Sequence, residues 1–160
     1  MSAALNNFSA EAAASQTVFT VRRPVRFSDC DPAGMVFYPQ YFVMLNGLVE
    51  DWFTQGLQVN YAELLGVRKV GLPMASLQCD FKAPSRMGET IALNLRLLRQ
   101  GKRSLTLGVR CTGLAPHDTL RWSAQAVIVT TSLEHDGSIS IPPDIVQGIA
   151  RWQSLSGETA

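Results

Sequence analysis

Ser28 to Gly56 reads SDCDPAGMVFYPQYFVMLNGLVEDWFTQG, and this stretch decides the fold. It opens with a dense cluster of turn formers, Ser28-Asp29-Cys30-Asp31-Pro32-Ala33-Gly34. Asp31-Pro32-Ala33-Gly34 suits a type I turn, with Asp first, Pro presetting φ at the second position and Gly fourth. Pro39 is then placed for the first turn of a helix, where a missing N–H costs nothing. Phe42, Leu45, Val49, Trp52, Phe53 and Gly56 follow at mostly three- and four-residue steps, with Leu48 beside them. This spacing predicts one long helix ending near Gly56.

Outward from the helix, the period becomes two. On the N-terminal side Phe19, Val21, Val25 and Phe27 predict a strand over Thr17–Phe27, with Pro24 marking an edge position or a bulge. On the C-terminal side Tyr61–Leu65 predicts a short helical turn before Gly66, and Val70–Lys82 is a less regular candidate strand. Ile91, Leu93, Leu95 and Leu97 alternate with Ala92, Asn94 and Arg96, while Leu105, Leu107, Val109 and Cys111 alternate with Thr106, Gly108 and Arg110. These are half-buried strands joined by a hairpin at Gln100-Gly101-Lys102. Pro116-His117-Asp118 separates them from a third run, Leu120–Thr131, and Asp136-Gly137 turns into a short last strand, Ser138–Ile141. The expected fold is therefore α+β, an antiparallel meander curled around one long helix.

The chain has 160 residues, enough for one domain and too few for two catalytic ones. The expected limits are a flexible tail over 1–16, one domain over 17–151 and a C-terminal tail over 152–160. With 46% hydrophobic and 17% charged residues, disorder is excluded for most of the length. A net charge of +1 gives no field able to hold nucleic acid by charge alone. No stretch approaches a membrane span and no basic, apolar leader opens the chain, so the expected compartment is the cytoplasm. Cys30, Cys79 and Cys111 are widely spaced and unpaired by any CxxC, which argues against a zinc site or a disulfide scaffold. The low charge and a small sheet with open edges predict pairing of subunits, a homodimer or a homotetramer.

The chemistry is narrowed first by what is missing: no GxSxG, GxGxxG, P-loop or HExxH. His117 and His135 fall in turns beside Asp118 and Asp136 and are read as solvated. What stands out is Asp29–Tyr41, where apolar Met35-Val36-Phe37-Tyr38 carries a carboxylate straight to the N-terminus of the long helix. A helix N-terminus offers free N–H groups and about half a positive charge, which can polarise a carbonyl and hold the oxyanion formed on it. A nearby carboxylate could attack that carbonyl or activate water, so acyl transfer needs neither serine nor histidine. Asp29 and Asp31 both remain candidates on these grounds.

Ser28-Asp29-Cys30-Asp31-Pro32-Ala33-Gly34-Met35-Val36-Phe37-Tyr38-Pro39-Gln40-Tyr41-Phe42 resembles the signature of the 4-hydroxybenzoyl-CoA thioesterases, a branch of the hotdog-fold acyl-CoA thioesterases. The resemblance implies a hotdog fold and hydrolysis of an acyl-CoA, 4-hydroxybenzoyl-CoA being the first substrate guess, with no metal or redox cofactor. It implies that Asp31, which immediately precedes Pro-Ala-Gly, is the catalytic carboxylate and that the Tyr38 N–H polarises the thioester carbonyl. In the resembled family a basic stretch before a Ser contacts the nucleotide end of CoA, and Lys102-Arg103-Ser104 matches it, although Gly101 stands where the prototype is basic. Gln40 departs from the common Asn. Among the aromatics near the site, Phe37 is the expected substrate contact, whereas helical spacing alone accounts for Phe42, Trp52 and Phe53. Glu50 and Glu63 are minor candidates for supporting roles. The alternative is a non-catalytic acyl-CoA binding module, which would keep the basic hairpin but would not need Asp31. A hotdog hydratase would need a placed histidine.

Overall fold

The computed structural model describes residues 17–116 and 118–155. Its strands are β1 (Phe19–Pro24), β2 (Val70–Gly71), β3 (Met74–Phe81), β4 (Thr90–Gln100), β5 (Ser104–Gly113), β6 (Leu120–Val129) and β7 (Thr131–Ser132). Its helices are α1 (Tyr38–Asp51), α2 (Tyr61–Gly66) and α3 (Pro143–Ser154). The main sheet is antiparallel with strand order β1-β4-β5-β6-β3.

Strand alternation puts Ile91, Leu93, Leu95 and Leu97 on the same face as Leu105, Leu107, Val109 and Cys111, and as Trp122, Ala124, Ala126 and Ile128. All are buried. Register holds the rows together, with Phe19, Leu95, Val109, Ala124 and Cys79 in one line across all five strands. The core-facing side of α1 supplies Tyr41, Met44, Leu45, Leu48 and Val49, and these join the sheet's inner face in one apolar cluster. Neither layer could keep its apolar face from water without the other.

Pro39 lies in the first turn of the long helix, as expected, and the last turn, Trp52–Gly56, is π-helical, closed by the Leu57 N–H on the Trp52 carbonyl (2.8 Å). Three expectations are corrected. The Val70–Lys82 strand is broken at Pro73, which has no N–H for a ladder, into β2, paired with β7, and β3. The sheet is not a simple meander, because β3 crosses over to pair with β6 while β1 covers the far edge of β4. Ser138–Ile141 forms only an isolated bridge from Ser138 to Thr131, and its Ile139 and Ile141 amides bond to Thr130 and to Lys102 in the hairpin.

Beyond this segment lies α3, which the sequence reading did not include. The boundary drawn after Arg151 falls inside this helix. Ile145, Ile149 and Trp152 recur at steps of four and three and are buried, and Trp152 meets Trp52 edge-on with ring centroids 5.4 Å apart. A Cβ at Gly148 would lie 2.7 Å from the Leu57 carbonyl oxygen, so glycine is what lets the two segments touch. The Arg151 Nη2 donates to that same carbonyl at 2.8 Å. The tail read over 1–16, and His117, lie outside the described residues.

Burial pushes the Cys111 thiol up from its ordinary 9.0 to about 12, with the Arg121 charge opposing it in part. The folded state keeps the thiol neutral, while the unfolded chain ionises it above about pH 9. That contribution is complete below pH 9 and is lost as pH climbs toward the folded value. Urea unfolding at pH 9 to 11 is expected to show a stability decline steeper in the native chain than in Cys111→Ala, by up to about 1 kcal/mol per pH unit. Equal slopes would remove Cys111 as the cause.

Candidate active site

The turn ahead of α1 is built by the chain's own short-range chemistry. The Gly34 N–H donates to the Asp31 carbonyl (3.0 Å), the Asp31 N–H donates to the Met35 carbonyl (2.9 Å), and the Ala33 N–H donates to Asp31 Oδ1 (2.9 Å). Gly34 has φ +73°, a conformation that side chains resist and glycine adopts freely. Cys30 then bridges to Val36, and the Phe37 N–H closes the hairpin on the Asp29 carbonyl at 3.0 Å. Helix α1 begins at the next residue.

The segment between β3 and β4 grips this hairpin from the side. The Val36 N–H donates to the Ser85 carbonyl (3.0 Å), Met35 bridges to Arg86, and the Met87 N–H donates to the Gly34 carbonyl (3.1 Å). At the start of α1, Phe37 and Gln40 have spent their amides on the Asp29 and Phe37 carbonyls, and Pro39 has none. The Tyr38 N–H is the amide of this turn without an acceptor among the described residues.

The two aspartates have separate environments. Asp29 is 6% exposed, and both its carboxylate oxygens receive Arg23 Nη2, at 3.1 and 3.0 Å, while the Arg26 N–H donates to Oδ2 at 2.8 Å. It has become a strut between β1 and the 3-10 turn Phe27–Asp29. The Asp31 carboxylate is half-buried and takes one bond, from the amide two residues on, which leaves an oxygen available. Arg23 was absent from the sequence reading, though its place six residues before Asp29 on a strand was a usable signal.

Around the start of α1 lies an aromatic group. Tyr38 packs edge-on against Phe37 (5.5 Å), Phe42 (6.3 Å) and Phe81 (6.3 Å), and Phe81 also meets Phe42 at 6.3 Å. Phe37, Tyr38 and Phe81 are 49%, 58% and 48% exposed, an apolar patch that needs a cover. Phe81, on the open edge of the sheet, was not singled out in the sequence because its strand is irregular there.

Lys102, Arg103 and Ser104 lie at the other end of the molecule. The Gly101 N–H donates to the Ser104 carbonyl (2.8 Å), Lys102 and Arg103 are exposed, and Arg103 Nη1 reaches Ser138 Oγ at 3.2 Å. β4 separates this hairpin from the Asp31 end by 11 residues, roughly 33 Å of strand. Within one chain the hairpin and the Asp31 end do not meet. Glu50 is exposed and accepts Asn46 Nδ2 at 2.7 Å, Glu63 sits in the first turn of α2, and His135 is exposed in a loop. Among the described residues no group of His, Cys, Asp and Glu could hold a metal ion, and no helix is long and apolar enough to cross a membrane.

A family model for the thioesterase-like superfamily matches residues 25–149. The chain belongs to this superfamily, has its hotdog fold, and is a thioester hydrolase. It is 30% identical over 149 residues to a 1,4-dihydroxy-2-naphthoyl-CoA hydrolase of Prochlorococcus marinus, covering 86% of this chain and 90% of that one. It is 21% identical over 133 residues to a 4-hydroxybenzoyl-CoA thioesterase of Pseudomonas, with 80% and 94% covered. The crystal structure of a 1,4-dihydroxy-2-naphthoyl-CoA thioesterase from Synechocystis shares the fold, with a TM-score of 0.75 at 23% identity over 83% of this chain and 96% of that chain.

If Asp29 is a strut, truncating it leaves Arg23 and the Arg26 amide without their acceptor. Asp29→Ala is expected to lower unfolding stability by about 2 kcal/mol in urea titrations. A loss under about 0.5 kcal/mol would make the pair structurally idle.

Proposed function

We propose that this chain hydrolyses an aryl-CoA thioester to the free acid and CoA, with Asp31 as the catalytic carboxylate and the Tyr38 N–H as the oxyanion donor. The observation that carries the reading is the contrast between the two aspartates. Asp29 is consumed by Arg23 and the Arg26 amide, whereas Asp31 keeps an available oxygen on the hairpin that leads into the Tyr38 amide. A carbonyl oxygen placed at that amide would feel the positive end of α1, so negative charge developing on it is stabilised where it forms. Asp31 then either adds to the carbonyl carbon, giving an anhydride that water opens, or takes a proton from the attacking water. In both routes the C–S bond breaks, water supplies the acid's second oxygen, and the thiolate leaves and is protonated.

The acyl group is argued from the patch beside the amide. Tyr38, Phe42 and Phe81, with Phe37 at the rim, offer edges and faces suited to a planar ring. The names of the relatives agree in kind, one carrying a naphthoyl and the other a benzoyl group. 4-Hydroxybenzoyl-CoA and 1,4-dihydroxy-2-naphthoyl-CoA are therefore the first esters to test.

The distance along β4 argues for two copies at each site. β3 has β6 on one side and, among the described residues, no strand on the other, and it runs from the hairpin end of the sheet (Met74 opposite Ile128) to the Asp31 end (Phe81 opposite Trp122). Two β3 edges meeting antiparallel would bring the Asp31 end of one copy to the hairpin end of the other. The second copy's Lys102 and Arg103 would then receive the CoA phosphates.

Thiol release from aryl- and alkyl-CoA esters tests the reading. Asp31→Asn is expected to lower kcat on the best aryl ester at least about 100-fold, while Asp29→Asn acts mainly on stability. Full activity in Asp31→Asn, with loss in Asp29→Asn, would reverse the assignment. Replacing Lys102 and Arg103 together by Ala is expected to raise KM for CoA esters about tenfold with little change in kcat. The same esters lacking the nucleotide 3′-phosphate should show a smaller rise, and an unchanged KM for both would take the hairpin out of the site.

A further inference from the structure

Among the described residues, Asp31 makes hydrogen bonds only within its own hairpin. Its carboxylate accepts the Ala33 N–H, and its backbone bonds to Gly34 and Met35, all within five residues. The direction of the carboxylate relative to the Tyr38 amide must therefore be inherited from whatever fixes the hairpin. That support is the segment Pro84–Glu89, which touches the hairpin at Val36, Met35 and Gly34 in succession.

This segment is itself held from two sides. From α1, the buried Tyr41 accepts the Ser85 N–H at its hydroxyl oxygen (3.2 Å), and Ser85 passes the contact on through its carbonyl to the Val36 N–H. From β6, the buried Arg121 donates Nη1 to the Pro84 carbonyl in a short hydrogen bond and pairs Nη2 with Glu89 Oε2 at 3.1 Å. Glu89 Oε2 in turn receives the Arg86 N–H at 3.2 Å. One guanidinium thus spans both ends of the segment, and one phenol holds its middle. An arginine at 8% exposure is costly to bury, and here its charge is matched by Glu89.

We propose that Tyr41 and Arg121 are positioning residues for the reaction, acting through Pro84–Glu89 to set the Asp31 carboxylate against the Tyr38 amide. Neither touches the reacting atoms. The proposal rests on the reading of Asp31 as the catalytic carboxylate. Its logic is that a displacement of about 1 Å at a reacting group can cost up to about a hundredfold in rate while the substrate still binds.

Tyr41→Phe is the informative variant. It keeps the ring contacts to Phe81 (6.0 Å) and Trp122 (5.7 Å) and removes only the acceptor for the Ser85 amide. On the best aryl-CoA ester it is expected to lower kcat about tenfold with KM within about twofold. Arg121→Lys should act in the same sense, since it keeps the charge for Glu89 but loses the reach of a forked guanidinium. Amide exchange over Gly34–Phe37 should rise in both variants, while exchange in β5 stays at the native rate. Val109→Ala, a core truncation in β5 expected to destabilise at least as much, serves as the control and should leave kcat within about twofold. A Tyr41→Phe chain with kcat within about twofold of native, or a Val109→Ala chain that loses as much, overturns the proposal. Asp31→Asn measured alongside identifies the other failure: full activity there means that the carboxylate is misassigned, whatever Tyr41 does.

Discussion

The burial of one face of α1 in the hollow of a five-stranded sheet is the constraint from which the rest follows. Leu45, Leu48, Trp52 and Phe53 are almost wholly removed from water, and so are the inward residues of β4, β5 and β6. At about 25 cal/mol per Å² of apolar surface, no local feature of the chain competes with that term. Once the helix lies in the sheet, the place of its first turn is no longer adjustable. Tyr41, one turn into α1, is at once a core residue against Trp122 and the acceptor for Ser85. The packing that stabilises the fold thereby fixes the amide of Tyr38 and the hairpin before it.

Two carboxylates two residues apart end with opposite fates, and geometry alone separates them. At the end of the 3-10 turn, the Asp29 side chain reaches β1, where Arg23 bonds both its oxygens. Asp31 sits at the first position of a turn, where a carboxylate accepts an amide of its own loop and stays partly in water. A carboxylate proposed to react must be positioned without being neutralised. Bonding one aspartate to a cation and the other to a single amide achieves this division within one short loop.

Much of this was legible in the sequence because it depends on local rules. The period of 3.6 in Phe42–Phe53, the period of two in Ile91–Leu97 and Leu105–Cys111, and the turn chemistry of Asp31-Pro32-Ala33-Gly34 each correspond to an element found in the fold. What was not legible depends on chain segments far apart. The crossover of β3 to β6 follows from how the sheet closes over the helix, and nothing in Met74–Phe81 names its neighbour. The Arg121 contacts to Pro84 and Glu89 span more than thirty residues and join a strand residue that reads as one more alternating polar position. Helix α3 is a different case: Pro142-Pro143 with Ile145, Ile149 and Trp152 carried a helical signal, but the sequence reading assigned no element beyond Ile141. The resemblance of Ser28–Phe42 to a thioesterase signature named the class correctly, and the family match over 25–149 extends that likeness along most of the chain.

The length of β4 has a consequence for how such a chain can change. Its 11 residues separate the hairpin of Lys102 and Arg103 from the end of the sheet that holds Asp31, so on the proposed reading the strand would act as a ruler between charge and chemistry. Strand geometry makes that ruler graduated. Adding or removing one residue would turn every inward leucine outward, whereas a change of two keeps the faces and moves the hairpin by roughly 6.6 Å. On the proposed reading, the reach from phosphate grip to thioester would vary in double steps where the ladder is regular, with β5 lengthening alongside β4, and in a single step only where a bulge such as the one between Leu97 and Arg99 takes up the extra residue. A tether of fixed length such as that of CoA would be matched by one such graduation and missed by the next.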